Sequence, residues 1–151
     1  MQNVSVKIYV SAIINAPVEQ VWNRVRSFCP TWHPDVVDCH IENDEGDTSV
    51  GCIRNFHVQD GGNVREQLLA LTDVGRSYSY TIIESPMPVH GYVAELKLQP
   101  VTEGGTTYAQ WTADFECPAE ERENLENLIQ GIFKRGLDTL QTRVPKKTAN
   151  M

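Results

Sequence analysis

The sequence lacks a long apolar run and has no cysteine or histidine pattern of a metal site. No segment approaches the roughly 18 consecutive apolar residues that a membrane-spanning helix requires, so no membrane span is expected. The first residues carry neither a basic stretch nor a long apolar one, which argues against a secretory signal. These absences predict a cytoplasmic protein.

Positive charge is also scarce. The chain has 13 Lys and Arg against 20 Asp and Glu, a formal net charge of −7. An acidic chain repels phosphate backbones, and the basic residues Arg143, Lys146 and Lys147 cluster only near the end of the chain. Nucleic acid is therefore not expected as a partner.

The four cysteines are Cys29, Cys39, Cys52 and Cys117, and no two form a CxxC pair or share zinc-ligand spacing with histidines. The expectation is four reduced thiols. A disulfide between Cys39 and Cys52 is the alternative, because a turn separates their predicted strands. Neither a metal nor a cofactor is expected, and no nucleophile triad or phosphate-binding loop is recognisable.

With 151 residues, 40% of them hydrophobic, the chain is long enough for one domain with a buried core. We predict a single domain over residues 1–144 and a polar tail over 145–151. Strict alternation predicts a strand over 4–14. Pro17 then opens a short amphipathic helix, and Thr31 to Pro34 predict a second helical turn or a compact loop.

Turn signals rich in glycine and asparagine divide the centre of the chain into six further strands. The predicted ranges are 36–43, 49–58, 64–72, 77–84, 91–101 and 107–117. A helix of about six turns follows from Pro118, with an apolar stripe at helical period. The order predicts an α+β fold: a seven-stranded curved antiparallel sheet around a long C-terminal helix, with two short helices between the first two strands.

One helix cannot fill the concave side of such a sheet, so a hollow between them is expected. Gly136 lies on the apolar stripe of the helix. Two interpretations of this glycine stay open: room for a ligand, or close packing of helix and sheet.

Several segments in this order resemble the START-like superfamily, also called SRPBCC or Bet v 1-like. It includes bacterial polyketide cyclase/dehydrase-like proteins and plant abscisic-acid receptors. The segments are residues 15–22, 39–42, 50–54, 65–68, 78–80 and 136–137. The resemblance implies a helix-grip fold with an internal apolar cavity. The plant receptors carry a cavity lysine, and the matching position here is Val37, so hormone sensing is not implied.

The resemblance also implies which side chains line the cavity. It sets the inward face of strand 64–72, where Leu68, Leu69 and Leu71 support both registers. The implied ligand-binding residues are Arg54, Phe56, Val58, Glu66, Leu68, Tyr78, Tyr80, Ile82, Tyr92, Ala94, Leu96, Trp111, Ala113, Phe115, Ile129 and Phe133. His33, near the expected cavity mouth, is predicted to be a solvated surface residue.

Arg54 and Glu66 would face the hollow from neighbouring strands and pair directly or through water. The pair either orients an acidic or carbonyl-bearing ligand or is purely structural. The leading prediction is binding of a small hydrophobic or aromatic molecule, lipids included, by a monomer or weak dimer. The alternative is a cyclase/dehydratase-type enzyme, with Arg54 as electrostatic anchor, Glu66 as general base and Tyr80 as proton donor. A protein-interaction module is the second alternative.

Overall fold

A computed structural model describes residues 2–143 of the chain, so the predicted tail over 145–151 lies outside the described residues. It contains seven strands and two α-helices. They are β1 (Asn3–Ile14), α1 (Val18–Val25), β2 (Val36–Ile41), β3 (Ile53–Val58), β4 (Asn63–Thr72), β5 (Ser77–Glu84), β6 (His90–Val101), β7 (Thr106–Pro118) and α2 (Arg122–Arg143).

The strands form one curved antiparallel sheet in the order β1-β7-β6-β5-β4-β3-β2, so the first two strands are its two edges. The connection between the two edge strands contains α1, followed by residues 26–35. We call residues 26–35 the cap. Helix α2 buries its apolar stripe against the concave face of the sheet. The stripe consists of Leu125, Ile129, Phe133, Leu137 and Leu140. This arrangement confirms the predicted helix-grip fold.

Only one helix lies between β1 and β2 among the described residues, so the prediction of two is wrong. The cap contains turns and bends instead, in agreement with the alternative of a compact loop. Pro30 and Pro34 stand only four positions apart, and proline interrupts helical hydrogen bonding. The cap therefore folds as successive turns over one end of the sheet.

A bulge in β4 explains why its sequence supported two registers. Leu68 pairs with Tyr80, but the next pairs are Ala70 with Ser79 and Leu71 with Tyr78, so Leu69 is the extra residue. Leu68 is fully buried and Leu69 is exposed, while Leu71 packs against the core. A bulge reverses the alternation of faces beyond it. Glu66 and Leu68 precede the bulge and face inward, as predicted. After the bulge, the other set of alternating residues faces inward.

Gly136 serves close packing. A Cβ atom there would lie 2.7 Å from Cδ2 of His33 and 2.8 Å from Cζ3 of Trp111. Both distances are shorter than normal carbon contacts, so any side chain would push the helix away from the cap and from β7. The glycine allows three elements to meet and does not leave an open space for a ligand.

Candidate functional site

The concave face encloses a cavity of about 90 Å³ between the sheet, the cap and α2. Strands β2 to β7, the cap, the β5–β6 loop and two turns of α2 contribute its walls. The lining residues are Pro30, His33, Asp35, Val36, Arg54, Phe56, Val58, Val64, Glu66, Tyr80, Met87, Tyr92, Trp111, Ile129, Ile132 and Phe133. Most of them are apolar or aromatic, so Arg54 and Glu66 are charged groups in hydrophobic surroundings.

A more open groove of about 280 Å³ continues outward from this cavity. The two share Asp35, Val58, Val64, Met87 and Ile132 in their walls. The outer part is formed by the β3–β4 turn, the β5–β6 loop and the exposed side of α2. Its additional residues are Gln59, Asp60, Gly62, Ser85, Pro86, Leu128 and Arg135. We call it the outer groove, and the shared residues form its junction with the cavity.

Arg54 and Glu66 are direct cross-strand neighbours on β3 and β4. They are only 3% and 7% exposed. Nε and Nη2 of Arg54 lie 2.8 and 2.7 Å from Oε1 of Glu66. Nη1 donates a hydrogen bond of 2.7 Å to the carbonyl oxygen of Phe28 in the cap. The pair therefore connects the sheet to the cap as well as β3 to β4.

Aromatic rings surround the guanidinium group. Its central carbon lies 4.0 Å from the ring centre of Phe28 and 4.4 Å from that of Tyr80. Both distances are within the range of cation–π attraction, which is stronger where water is excluded. Arg54 is thus held by hydrogen bonds and by rings, and its position is fixed before any ligand arrives.

Burial determines the ionisation of the polar groups in the cavity. It raises the pKa of the Glu66 carboxyl above its usual range, and the adjacent Arg54 opposes the rise. Burial also raises the pKa values of Tyr80 and Tyr92, so both phenols keep their protons at neutral pH. The Tyr80 hydroxyl accepts a hydrogen bond of 3.0 Å from Nε1 of Trp111. The tyrosines are therefore available as neutral polar groups and not as phenolates.

His33 is buried, being 4% exposed, so the prediction of a solvated histidine is wrong. The backbone N–H of Asp35 donates to Nδ1 at 3.0 Å, which leaves Nε2 to carry the proton. Nε2 donates that proton to the carbonyl oxygen of Ile132 on α2, at 2.8 Å. Burial lowers the pKa of His33, with Arg135 and Arg54 adding to the effect. The neutral imidazole joins the cap to the helix through these two hydrogen bonds.

The cap has two further attachments. Arg135 of α2 forms an ion pair of 2.7 Å with Asp35. A disulfide joins Cys29 in the cap to Cys39 on β2, whose Cα atoms are 5.7 Å apart. The expectation of four reduced thiols is therefore wrong, and so is the alternative pairing, since Cys52 is buried and free. Sequence spacing could not reveal this pair, because the cap must fold back on β2 before the thiols meet.

The structure brings part of the predicted site together. Arg54, Phe56, Val58, Glu66, Tyr80, Tyr92, Trp111, Ile129 and Phe133 line the cavity. The other predicted residues do not, because side-chain packing closes the hollow around them. Those residues are Leu68, Tyr78, Ile82, Ala94, Leu96, Ala113 and Phe115. Trp111 and Phe133, stacked with ring centres 4.4 Å apart, occupy much of the space that the sequence left open.

Sequence reasoning missed seven cavity residues. Pro30, His33 and Asp35 come from the cap, Val36 and Val64 from the beginnings of β2 and β4, Met87 from the β5–β6 loop and Ile132 from α2. Val36 lines the cavity, whereas Val37, matched above to the receptor lysine, is 58% exposed. An irregularity in the pairing of β2 with β3 between Val36 and Asp38 accompanies this change. The pair of prolines around His33 indicated a compact loop, but nothing in the sequence indicated that this loop is buried.

The residues described contain no cluster of three or more His, Cys, Asp or Glu side chains that could hold a metal ion. Nor does either α-helix, within residues 2–143, have the length and apolar character needed to cross a membrane.

The chain resembles several solved structures over nearly its whole length. An uncharacterised protein from Bacillus thuringiensis is 29% identical, with 91% of this chain and 97% of that chain covered and a TM-score of 0.81. A protein from Thermobifida fusca is 28% identical, with 91% and 92% covered and a TM-score of 0.82. The comparison with curated proteins finds no match.

Norcoclaurine synthase from Thalictrum flavum, solved with dopamine and hydroxybenzaldehyde, is 18% identical with a TM-score of 0.75. It covers 97% of this chain, and 90% of its own chain is matched. At this identity the likeness shows the fold alone. The model of the family described as polyketide cyclase / dehydrase and lipid transport matches residues 5–145. The chain therefore belongs to the polyketide cyclase/dehydrase and lipid transport family.

Proposed function

We propose that the protein binds a small hydrophobic molecule whose polar end lies in the cavity and whose apolar body lies in the outer groove. The observation that carries the proposal is the buried Arg54–Glu66 pair, which borders open space inside a mainly apolar and aromatic enclosure. Ligand sites typically combine apolar walls with a few convergent polar groups. The family to which the chain belongs supports this interpretation.

The size of the cavity limits what can be inside it. Its 90 Å³ is smaller than the roughly 150 Å³ cavity that holds one benzene molecule in an engineered protein. The space fits the polar end of a ligand and a few neighbouring atoms. A larger body would extend past Val58, Val64 and Met87 into the outer groove. An elongated molecule fits this shape better than a broad, rigid one.

A fluorescence titration with N-phenyl-1-naphthylamine tests the proposal. The dye should bind with enhanced emission, and Val64→Phe should weaken binding about tenfold or more, because the larger ring blocks the junction. Val93→Phe is the matched control, since Val93 lies on β6 and is 43% exposed. The control should bind the dye as the unmodified protein does.

Two results would refute ligand binding at this site. One is no uptake of the dye by well-folded protein. The other is equal binding by Val64→Phe and Val93→Phe, which would place the dye on the surface. If the dye binds as expected, native mass spectrometry of protein purified from its own source would identify the bound metabolite.

One observation favours a second candidate, a cyclase/dehydratase-type enzyme. Burial raises the pKa of Glu66, which brings a carboxylate closer to the range useful for a general base. Arg54 would stabilise developing negative charge, and Tyr80 would supply a proton. Turnover of a polyketide-type carbonyl substrate that is abolished by Glu66→Gln would support the enzyme.

A further inference from the structure

The two oxygens of Glu66 have different surroundings. Both contacts from Arg54 fall on Oε1, at 2.8 and 2.7 Å. Within residues 2–143 the contacts of Glu66 described above reach Oε1 and leave Oε2 without one, although the side chain is only 9% exposed. Oε2 is not among the fully buried side-chain atoms that lack a partner, which fits an oxygen with access to the cavity. A carboxylate oxygen can accept more than one hydrogen bond. Because Glu66 lines the cavity, Oε2 is an acceptor that a ligand can reach.

Arg54 offers much less to a ligand. Its contacts with Glu66 Oε1 and the Phe28 carbonyl involve all three nitrogens and use three of the five N–H groups. The guanidinium group also lies against the rings of Phe28 and Tyr80. An acidic ligand would place a second carboxylate beside Glu66, with one guanidinium to neutralise both, which is unfavourable in an apolar cavity. The charged pair therefore offers the cavity a guanidinium that is already neutralised and a carboxylate oxygen that can accept.

We infer that the cavity selects uncharged, hydroxyl-bearing apolar molecules, such as long-chain alcohols or alkyl phenols, whose O–H donates to Oε2 of Glu66. This inference rests on the proposed function and specifies its ligand class. The inferred ligand class differs from the acidic or carbonyl-bearing ligand that the sequence predicted. A carboxylate or a carbonyl group has no proton that it could donate to Oε2 of Glu66.

The charge balance of the site favours a neutral ligand. Arg54 and Glu66 together carry no net charge when both are ionised. A carboxylate or an ammonium ion placed in the same apolar cavity would be a third buried charge without a counter-ion. A hydroxyl group satisfies Oε2 without this cost. It also suits a cavity that fits only the end of a molecule.

Three eight-carbon compounds test the inference by displacement of N-phenyl-1-naphthylamine at pH 7. They are 1-octanol, its isomer 1-methoxyheptane, and octanoate. The two isomers have the same molecular formula, but only 1-octanol has an O–H donor. The ratio of their affinities therefore reports the hydrogen bond that this donor makes. We expect 1-octanol to bind about tenfold more tightly than 1-methoxyheptane, as one hydrogen bond to a charged acceptor would give. Octanoate should bind more weakly than 1-octanol.

Glu66→Gln changes the group that faces the ligand. Its amide oxygen would keep the contact with Arg54 and leave an NH₂ group at the position of Oε2. The preference for 1-octanol over 1-methoxyheptane should then fall to about threefold or less, since both compounds can accept from NH₂. Glu42→Gln is the matched control, because Glu42 pairs with Arg65 outside the cavity. It should keep the tenfold preference.

The outcomes separate the two proposals. Binding of 1-octanol and 1-methoxyheptane with equal affinity would overturn the inference and leave ligand binding intact, as would tightest binding by octanoate. Binding of none of the compounds and no uptake of the dye would overturn both. If Glu66→Gln does not fold, the order of the three affinities in the unmodified protein still decides the question.

Discussion

Two arginines on opposite faces of the sheet, each paired with glutamate, show how burial changes the ionisation of an Arg–Glu contact. Arg54 and Glu66 pair on the concave face, whereas Arg65 pairs with Glu42 and Glu84 on the convex face. Arg65 is adjacent to Glu66 in sequence, and alternation along the strand separates the two pairs. Contact distances are nearly equal, since each pair includes a contact of 2.7 Å.

The pKa values of the two glutamates nevertheless move in opposite directions. Hydrogen bonds from Arg65 and Asn55 lower the pKa of Glu42 to about 2. Burial raises the pKa of Glu66 despite its contact with Arg54. Where water remains close, the partner decides the shift, and where water is excluded, desolvation decides it. Only the inner pair can therefore supply an acceptor that a ligand would satisfy better than solvent.

The largest expected difference between the faces is in stability. Glu66→Ala should lower the free energy of unfolding by about 3–5 kcal/mol, because it leaves a buried guanidinium without its counter-ion. Glu42→Ala should cost much less, since water can solvate Arg65. Urea denaturation of both variants measures the difference, and losses of similar size would contradict the contrast.

A disulfide holds the cap over the inner Arg54–Glu66 pair, so removal of this bond is a second test of what keeps the inner face closed. Cys29 and Cys39 are ten residues apart, and opening a loop near this size should lower stability by about 2–3 kcal/mol. Denaturation of the Cys29→Ser/Cys39→Ser variant tests this value. Thiol titration of unreduced, denatured protein should find Cys52 and Cys117 alone reactive. Reactivity of all four cysteines would show that the disulfide does not form.

Gly136 and Gly131 of α2 allow a similar comparison between a buried position and a more exposed one. Gly136→Ala should lower stability by about 1–3 kcal/mol, because its Cβ would collide with His33 and Trp111. Gly131→Ala should raise stability by up to about 1 kcal/mol, since alanine favours helix and its Cβ meets only the flexible end of Arg135. Thermal denaturation of the two variants would contradict this explanation if both changes had the same sign.

The smallest expected effect is a difference in pH dependence. The folded-state pKa of Glu42 lies below its ordinary value of 4.5, so its stabilising contribution disappears as pH falls from 4.5 to about 2. For Glu66 the folded-state pKa is raised, so its contribution to stability decreases as pH rises above 4.5. Stability differences from Glu42→Gln and Glu66→Gln should therefore slope in opposite directions with pH. Parallel slopes would disprove the contrast.

The sequence determined the order and type of the elements because their patterns are local. Alternation over 4–14, glycine-rich turns and the stripe from Leu125 to Leu140 each report which face of an element is buried. Predicted and observed strands agree closely, apart from shifts at their ends. β3 begins at Ile53 and not at 49, since Gly51 has a φ of +97° and belongs to a turn.

The tertiary structure alone decided the contents of the concave face. The size of the cavity depends on rings from distant strands and from α2 that stack within it, such as Trp111 and Phe133. Burial of His33 and pairing of Cys29 with Cys39 both require the cap to fold back over the sheet. The bulge at Leu69 changes which side chains face inward. Local patterns report the period of an element, whereas the space left between elements depends on how all their side chains pack together.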